Sequence, residues 1–163
     1  LLQDFYKELE MELVKGDLIE MGKNNEFDII VHGCNCFNTM GGGIAAQIAV
    51  KLPDARAADD ETVRGDAGKL GSYTIGMHGR LVIINAYTQY SMSRDGVDVF
   101  EYHAFERILS KLANRFGKYR FGFPLIGMGL ANGDKERIMT LLEAFSQRVS
   151  TQGGSVTLVE FKG

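Results

Sequence analysis

Twice in this chain an apolar run that reads as a buried strand breaks into a glycine-rich loop and then into helical spacing. The first loop is His32-Gly33-Cys34-Asn35-Cys36-Phe37-Asn38-Thr39-Met40-Gly41-Gly42-Gly43-Ile44-Ala45. The second is Phe123-Pro124-Leu125-Ile126-Gly127-Met128-Gly129-Leu130-Ala131-Asn132-Gly133-Asp134. Strand–loop–helix units of this kind build α/β folds around a parallel sheet. Glycines at the junction let backbone N–H groups approach an anion, and the helix N-terminus favours negative charge. Two such junctions predict a cleft for a phosphorylated nucleotide.

The alternation continues through the rest of the chain. Residues 11–15 form a short strand candidate closed by Gly16-Asp17, and residues 27–31 have the length of a central parallel strand. Ile44, Ile48 and Leu52 mark a helix stopped at Pro53, and the polar residues 54–66 read as a second, exposed helix ending near Gly65. Residues 72–77 and 81–87 read as strands joined around Gly79. Val99, Tyr102, Phe105, Leu109, Leu112 and Phe116 recur at helical spacing, with Gly117 as the C-cap. Residues 119–125 return to strand. Ile138, Leu141, Leu142, Phe145 and Val149 trace another helix, and residues 156–161 a last strand. No repeat or linker interrupts the pattern, and 163 residues at 45 % hydrophobic content suit a single domain. The expectation is one α/β domain whose mostly parallel sheet lies between helices. In such sheets ligands bind beyond the carboxyl ends of the strands, where both glycine-rich loops and Gly16-Asp17 fall.

Charge and cysteines narrow the chemistry. A net charge of −3 argues against a general nucleic-acid surface. No apolar stretch approaches the roughly 20 residues of a membrane span. The chain opens on Leu1 rather than a start methionine, so a trimmed N-terminus is expected, and no signal-peptide pattern precedes the first strand. Cys34 and Cys36 are too close for an ordinary disulfide framework, which predicts a reducing, intracellular and cytoplasmic setting. With His32 they still fall one ligand short of a structural zinc set, and buried thiols are the simpler reading. No metal or other cofactor is expected. Neither glycine-rich loop carries a basic residue before Lys135, so backbone amides and helix dipoles must hold the anion. No Walker-type lysine follows the triple glycine, and its spacing misses the dinucleotide fingerprint.

Three segments resemble the macrodomain family, the three-layer α/β/α fold that binds ADP-ribose, over essentially all of residues 1–163. They are Val14-Lys15-Gly16-Asp17-Leu18, residues 31–44 with Asn35 six residues before the triple glycine, and Ile126-Gly127-Met128-Gly129-Leu130. Asn85-Ala86-Tyr87-Thr88-Gln89 and Leu130-Ala131-Asn132-Gly133-Asp134 are most similar to the branch that processes ADP-ribose 1''-phosphate and related C1'' adducts. The resemblance implies a mixed, mostly parallel sheet, with Asp17 against the adenine amino group and Leu18 beside the base. Asn35 would hold the distal ribose. Gly41, Gly42, Gly43 and Ile44 would wrap the pyrophosphate, and Gly127, Met128, Gly129 and Leu130 would form a second phosphate loop. Asp134 would activate water, with His32 as a proton donor and Asn35 completing the catalytic set. The implied activity is metal-independent hydrolysis of ADP-ribose 1''-phosphate to ADP-ribose and phosphate. Hydrolysis of ADP-ribosylated macromolecules or O-acetyl-ADP-ribose is one alternative, and a non-catalytic ADP-ribose reader another. The expected partners are ADP-ribose and its C1''-substituted derivatives, with no general nucleic-acid or membrane binding.

Two departures stand out. His32 occupies a position where the commonest macrodomain pattern has asparagine. No lysine lies near Gln89, which speaks against the branch that works through a lysine adduct. Each site residue also has a structural reading: Asp17 and Asp134 as helix caps, Asn35 as a turn residue, and His32 as a hydrogen-bonded histidine of a buried strand. His78 and His103 carry no motif.

Overall fold

Ile29, Ile30 and Val31 are consecutive and all buried. Successive strand residues face opposite sides, so the sheet that holds them must be covered on both faces. The computed structural model describes residues 11–162 and has this arrangement. Strands β1 (Met11–Gly16), β2 (Ile29–Cys34), β3 (Tyr73–His78), β4 (Leu81–Tyr87), β5 (Arg120–Phe123) and β6 (Ser155–Phe161) form one sheet of order β1-β6-β5-β2-β4-β3. All neighbours pair parallel except β3, which runs antiparallel to β4. The sheet is therefore the mixed, mostly parallel one expected.

Helices α1 (Leu18–Lys23), α2 (Gly43–Lys51) and α3 (Pro53–Asp60) cover one face. Leu18, Ile19, Ile48, Leu52 and Ala55 pack there against Ile30, Ile83 and Val159. Helices α4 (Tyr102–Phe116) and α5 (Lys135–Ser150) cover the other. Their Phe105, Ile108, Leu112, Leu142 and Phe145 meet Val31, Ile84, Phe121, Phe123 and Leu158. The result is a three-layer α/β/α fold. Because five strands run the same way, the carboxyl ends of β1, β6, β5, β2 and β4 share one edge.

Two expectations are corrected. β2 runs on to Cys34, because Gly33 pairs with Ala86 and Cys34 with Tyr87. The first loop therefore begins at Asn35, and His32 is a mid-strand residue. The polar stretch 54–66 is not one exposed helix. α3 ends at Asp60 and buries Ala55 and Asp59, and a short 3-10 turn follows at Ala67–Lys69. The sequence reading did not include α1, which is too brief to leave a helical stripe, and Asp17 caps it in keeping with its structural reading.

Candidate functional site

A cavity of about 840 Å³ opens along the shared edge. It reaches from the end of β1 to the segment after β4, four inter-strand spacings or about 19 Å. Asp17 and Leu18, Asn35, Gly41 to Ile44, Gly127, Gly129 and Leu130 all line it. Three segments far apart in sequence thus meet as expected. Asp17 and Leu18 lie at the β1 end together with Val159, Glu160 and Phe161. Thr88, Gln89, Met92 and Ser93 lie at the β4 end, and the two glycine-rich loops lie between.

Among the described residues, no arginine, lysine or histidine lines this cavity. Its electropositive element is the N-terminus of α2. The N-cap there is Gly42, which offers no side-chain cap, and no acidic residue sits in the first turn. The leading N–H groups of α2 therefore face the cavity without an internal acceptor, the arrangement that binds phosphate. α1 and α5 differ. Asp17 Oδ1 accepts from Ile19 N and Glu20 N at 3.0 and 3.2 Å. Asp134 Oδ1 accepts from Glu136 N and Arg137 N at 3.0 and 3.3 Å.

The glycines of the two loops fall into two groups. Gly43 has φ 55° and Gly127 φ 76°, and a Cβ on Gly127 would lie 2.6 Å from the Phe100 ring. The fold itself requires glycine at both. At Gly41 a Cβ would meet only Thr39 O at 3.8 Å, and at Gly129 nothing within 4 Å, and neither has a positive φ. Folding gives no reason for glycine at these two cavity-lining positions, whereas close approach of a ligand does. The loops touch across the cavity, since a Cβ on Gly42 would lie 3.0 Å from Leu130 Cδ1.

Asp17 caps α1 with one oxygen, and among the described residues no hydrogen bond engages its Oδ2, which leaves a carboxylate acceptor at the β1 end. Asn35 Oδ1 accepts from Phe37 N at 2.8 Å and its Nδ2 donates to Thr39 Oγ1 at 2.7 Å. The turn reading is thus realised, but the amide keeps one N–H and one lone pair for a ligand.

Three expected site residues do not reach the cavity. Met128 packs against the core beneath α4 and α5. Asp134 is exposed, lies outside the cavity and is engaged in capping α5. Its carboxylate occupies the helix N-terminus that an anion would otherwise take. His32 is fully buried on the α3 side of β2, where its Nε2 lies 2.7 Å from Asn85 Oδ1. Burial lowers its pKa to about 4, against a smaller opposing effect of the Asn85 hydrogen bond. The ring is neutral near pH 7 and cannot donate to a group in the cavity. Burial also pushes the Cys34 and Cys36 thiols up, so neither is a ready nucleophile.

Sequence reasoning missed Phe161 and Asp59, both of which line the cavity. Phe161 is 61 % exposed at the β1–β6 end, an apolar face beside Asp17 suited to a planar base. Its position as the last strand residue could have identified it. Asp59, inside a polar stretch, left no such signal.

No family model matches the sequence. Solved structures with this architecture include a protein of unknown function from Bacteroides thetaiotaomicron, 22 % identical, with a TM-score of 0.75 over 93 % of this chain and 98 % of that one. The macrodomain of Mycobacterium tuberculosis DarG is 19 % identical, with a TM-score of 0.69 over 91 % of this chain and 96 % of that one. Thermosipho africanus DarTG, solved with ADP-ribose, is 14 % identical, with a TM-score of 0.70 over 93 % of this chain and 42 % of that one. The fold is that of the macrodomains. In sequence, an uncharacterized 17.5 kDa protein from the tk-vs intergenic region of Enterobacteria phage T4 is 33 % identical over 153 residues, 85 % of this chain and 92 % of that protein. The chain belongs to the family of this phage T4 protein.

Two outcomes follow from this geometry. His32 binds a proton in the unfolded chain below its ordinary pKa of 6.5, but in the folded protein only below about 4. Stability is therefore lost as pH falls through that window, by about 3 kcal/mol at its lower end. Urea denaturation of His32→Gln against the parent between pH 7 and 4 should show the parent losing the larger amount. In the same assay near pH 7, Gly41→Ala and Gly129→Ala should be neutral or stabilising by about 0.4–1 kcal/mol, through the unfolded state. Gly127→Ala should destabilise.

Proposed function

We propose that the protein binds ADP-ribose along this cavity and hydrolyses ADP-ribose 1''-phosphate to ADP-ribose and phosphate. The observation that carries the reading is the uncapped N-terminus of α2, flanked by Gly41 and Gly129, two glycines that the fold does not need. A pyrophosphate laid there receives backbone N–H donors in a cavity that no cationic side chain lines among the described residues. Asp17 Oδ2 accepts from the adenine amino group and Phe161 covers the base. Asn35 takes a hydroxyl of the distal ribose. Thermosipho africanus DarTG and a Trypanosoma brucei macrodomain, both of which share this fold over part of their length, have been solved in complex with ADP-ribose, which supports the choice of ligand.

Among the described residues no three His, Cys, Asp or Glu side chains gather as metal ligands. Backbone donors then meet the charge of the departing phosphate, and the reaction proceeds without a divalent ion. A second reading, a reader that binds ADP-ribose without turnover, is favoured by the positions of Asp134 and His32 outside the cavity.

Calorimetry should give micromolar binding of ADP-ribose, about −8 kcal/mol. Asp17→Ala should weaken it by about 1–3 kcal/mol, and Gly129→Ala should weaken it without loss of stability. Incubation with ADP-ribose 1''-phosphate should release inorganic phosphate. Binding without release would leave the reader, and absence of binding would overturn both readings. Phosphate release should persist in excess chelator. Its loss there, with recovery on adding one divalent metal, would mean that the wrong groups carry the charge-stabilising role.

A further inference from the structure

One face of the sheet carries an uninterrupted series of polar side chains beneath α3. Asn85 Nδ2 donates to Ala55 O at 2.8 Å and to Thr74 Oγ1 at 3.0 Å. A carbonyl can only accept, so the orientation of the Asn85 amide is fixed and its Oδ1 faces His32. His32 must then be the Nε2–H tautomer, donating to Asn85 Oδ1 at 2.7 Å. Thr74 Oγ1 donates onward to Tyr87 Oη at 3.0 Å, because the single tyrosine hydroxyl proton is committed to Asp59. Tyr87 Oη donates to Asp59 Oδ1 at 2.7 Å. Every donor in the series points the same way, and it ends on Asp59.

Asp59 is 1 % exposed and belongs to the cavity wall. Its Oδ2 is buried and has no hydrogen-bond partner among the described residues. Because Oδ1 accepts from Tyr87, a proton on this carboxyl resides on Oδ2. Burial raises the Asp59 pKa, opposed by the Tyr87 hydrogen bond and by Lys69, while Asp60 adds to the rise and Arg56 opposes it. Cys34 and Cys36 are the other ionisable neighbours, both neutral thiols. Lys69 itself is held by Asn38 Oδ1 and Thr62 Oγ1 at 2.6 and 2.8 Å, without an ion pair to Asp59.

We propose that Asp59 Oδ2 hydrogen-bonds the oxygen on C1'' of the bound ligand and, in hydrolysis, gives that oxygen its proton. The proposal rests on the reading of the cavity as an ADP-ribose phosphate hydrolase site. The bridging oxygen leaves with the Asp59 proton whether the C–O or the P–O bond breaks. Water supplies a hydroxyl to the atom left behind, and its remaining proton returns to Oδ2. One water is consumed and the carboxyl is restored. Tyr87, Thr74, Asn85 and His32 are positioning residues that fix which oxygen carries the proton.

The test is Asp59→Asn, which keeps an acceptor for Tyr87 but cannot give up a proton. The variant should melt at the same or a higher temperature near pH 7 and bind ADP-ribose within about threefold of the parent. Phosphate release should fall at least about 100-fold, while exposed Asp60→Asn releases phosphate normally. Retained turnover in Asp59→Asn overturns the proton-transfer role. Independently, the Asp59 carboxyl carbon resonance, assigned by correlation to its own backbone, should move when ADP-ribose saturates the unsubstituted protein. An unmoved resonance overturns the proposal even if Asp59→Asn does not fold. A parent that binds ADP-ribose with movement of this resonance but releases no phosphate overturns the hydrolase reading and the proton transfer, and leaves the contact standing.

Discussion

The parallel register of β2 and β4 puts His32 opposite Asn85 and Cys34 opposite Tyr87. Period-two alternation then sends all four side chains to the face beneath α3, away from the aromatic core under α4 and α5. Polar groups buried there must find partners within the protein, and α3, β3 and the 3-10 turn supply them. Asn85 holds the α3 backbone at Ala55, Tyr87 holds Asp59, and Lys69 holds Asn38. A slip of one residue would move all four to the other face and leave α3 without its polar contacts. The same register sets where the first loop begins. Two of its residues, Asn38 and Met40, have positive φ of 57° and 40°. Asn38 bears this because its side chain is fixed by Lys69 and by Thr62 O at 2.8 Å. The buried polar layer thus anchors the loop that shapes the cavity.

Ionised groups are distributed to match. At the amino-terminal ends of β2 and β5, Arg120 clasps Asp28 with both ends of its guanidinium, Nη2–Oδ1 at 3.0 Å and Nε–Oδ2 at 3.2 Å, and that pair lowers the Asp28 pKa. At the carboxyl-terminal edge no such pair exists among the described cavity residues. The carboxylates Asp17 and Glu160 belong to one end, the Asp59 carboxyl to the wall, and backbone N–H groups lie between. A nucleotide diphosphate fits that order, with hydrogen-bonding base and sugar at the ends and negative charge at the helix N-terminus. A polyanion without polar ends would have to pass the carboxylates uncompensated.

The sheet, its parallel sense and the edge that carries the cavity were legible in the sequence, because glycine loops after apolar runs encode all three. Residues whose backbone meets the cavity, Gly41 to Ile44 and Gly129, were legible for the same reason. Side chains whose role depends on tertiary packing were not. A cap motif and a catalytic carboxylate look alike in sequence, and Asp134 acts as a cap because α5 begins at the next residue. His32 reads as loop or strand until pairing with β4 places Asn85 beside it. Asp59 sits in a stretch whose composition says solvent, yet Ala55 and Asp59, four residues apart, share the one face of α3 that turns inward.

Much of this protein follows local rules closely. Asp17, Asp66 and Asp134 cap their helical turns, and Asp28 is paired. Three departures border the cavity, although α3 and α4 also start without a side-chain cap hydrogen bond. α2 starts without a side-chain cap, Met40 holds a left-handed backbone without being glycine, and Asp59 buries an oxygen that no described residue satisfies. Each costs stability, on the order of 1–3 kcal/mol for a strained residue or an unsatisfied buried polar atom. An asparagine N-cap would relieve the first, a glycine the second, an asparagine or apolar side chain the third. All three of these border a single cavity. One ligand in the proposed pose would supply the missing acceptor at α2, contact the strained loop and partner the free oxygen of Asp59.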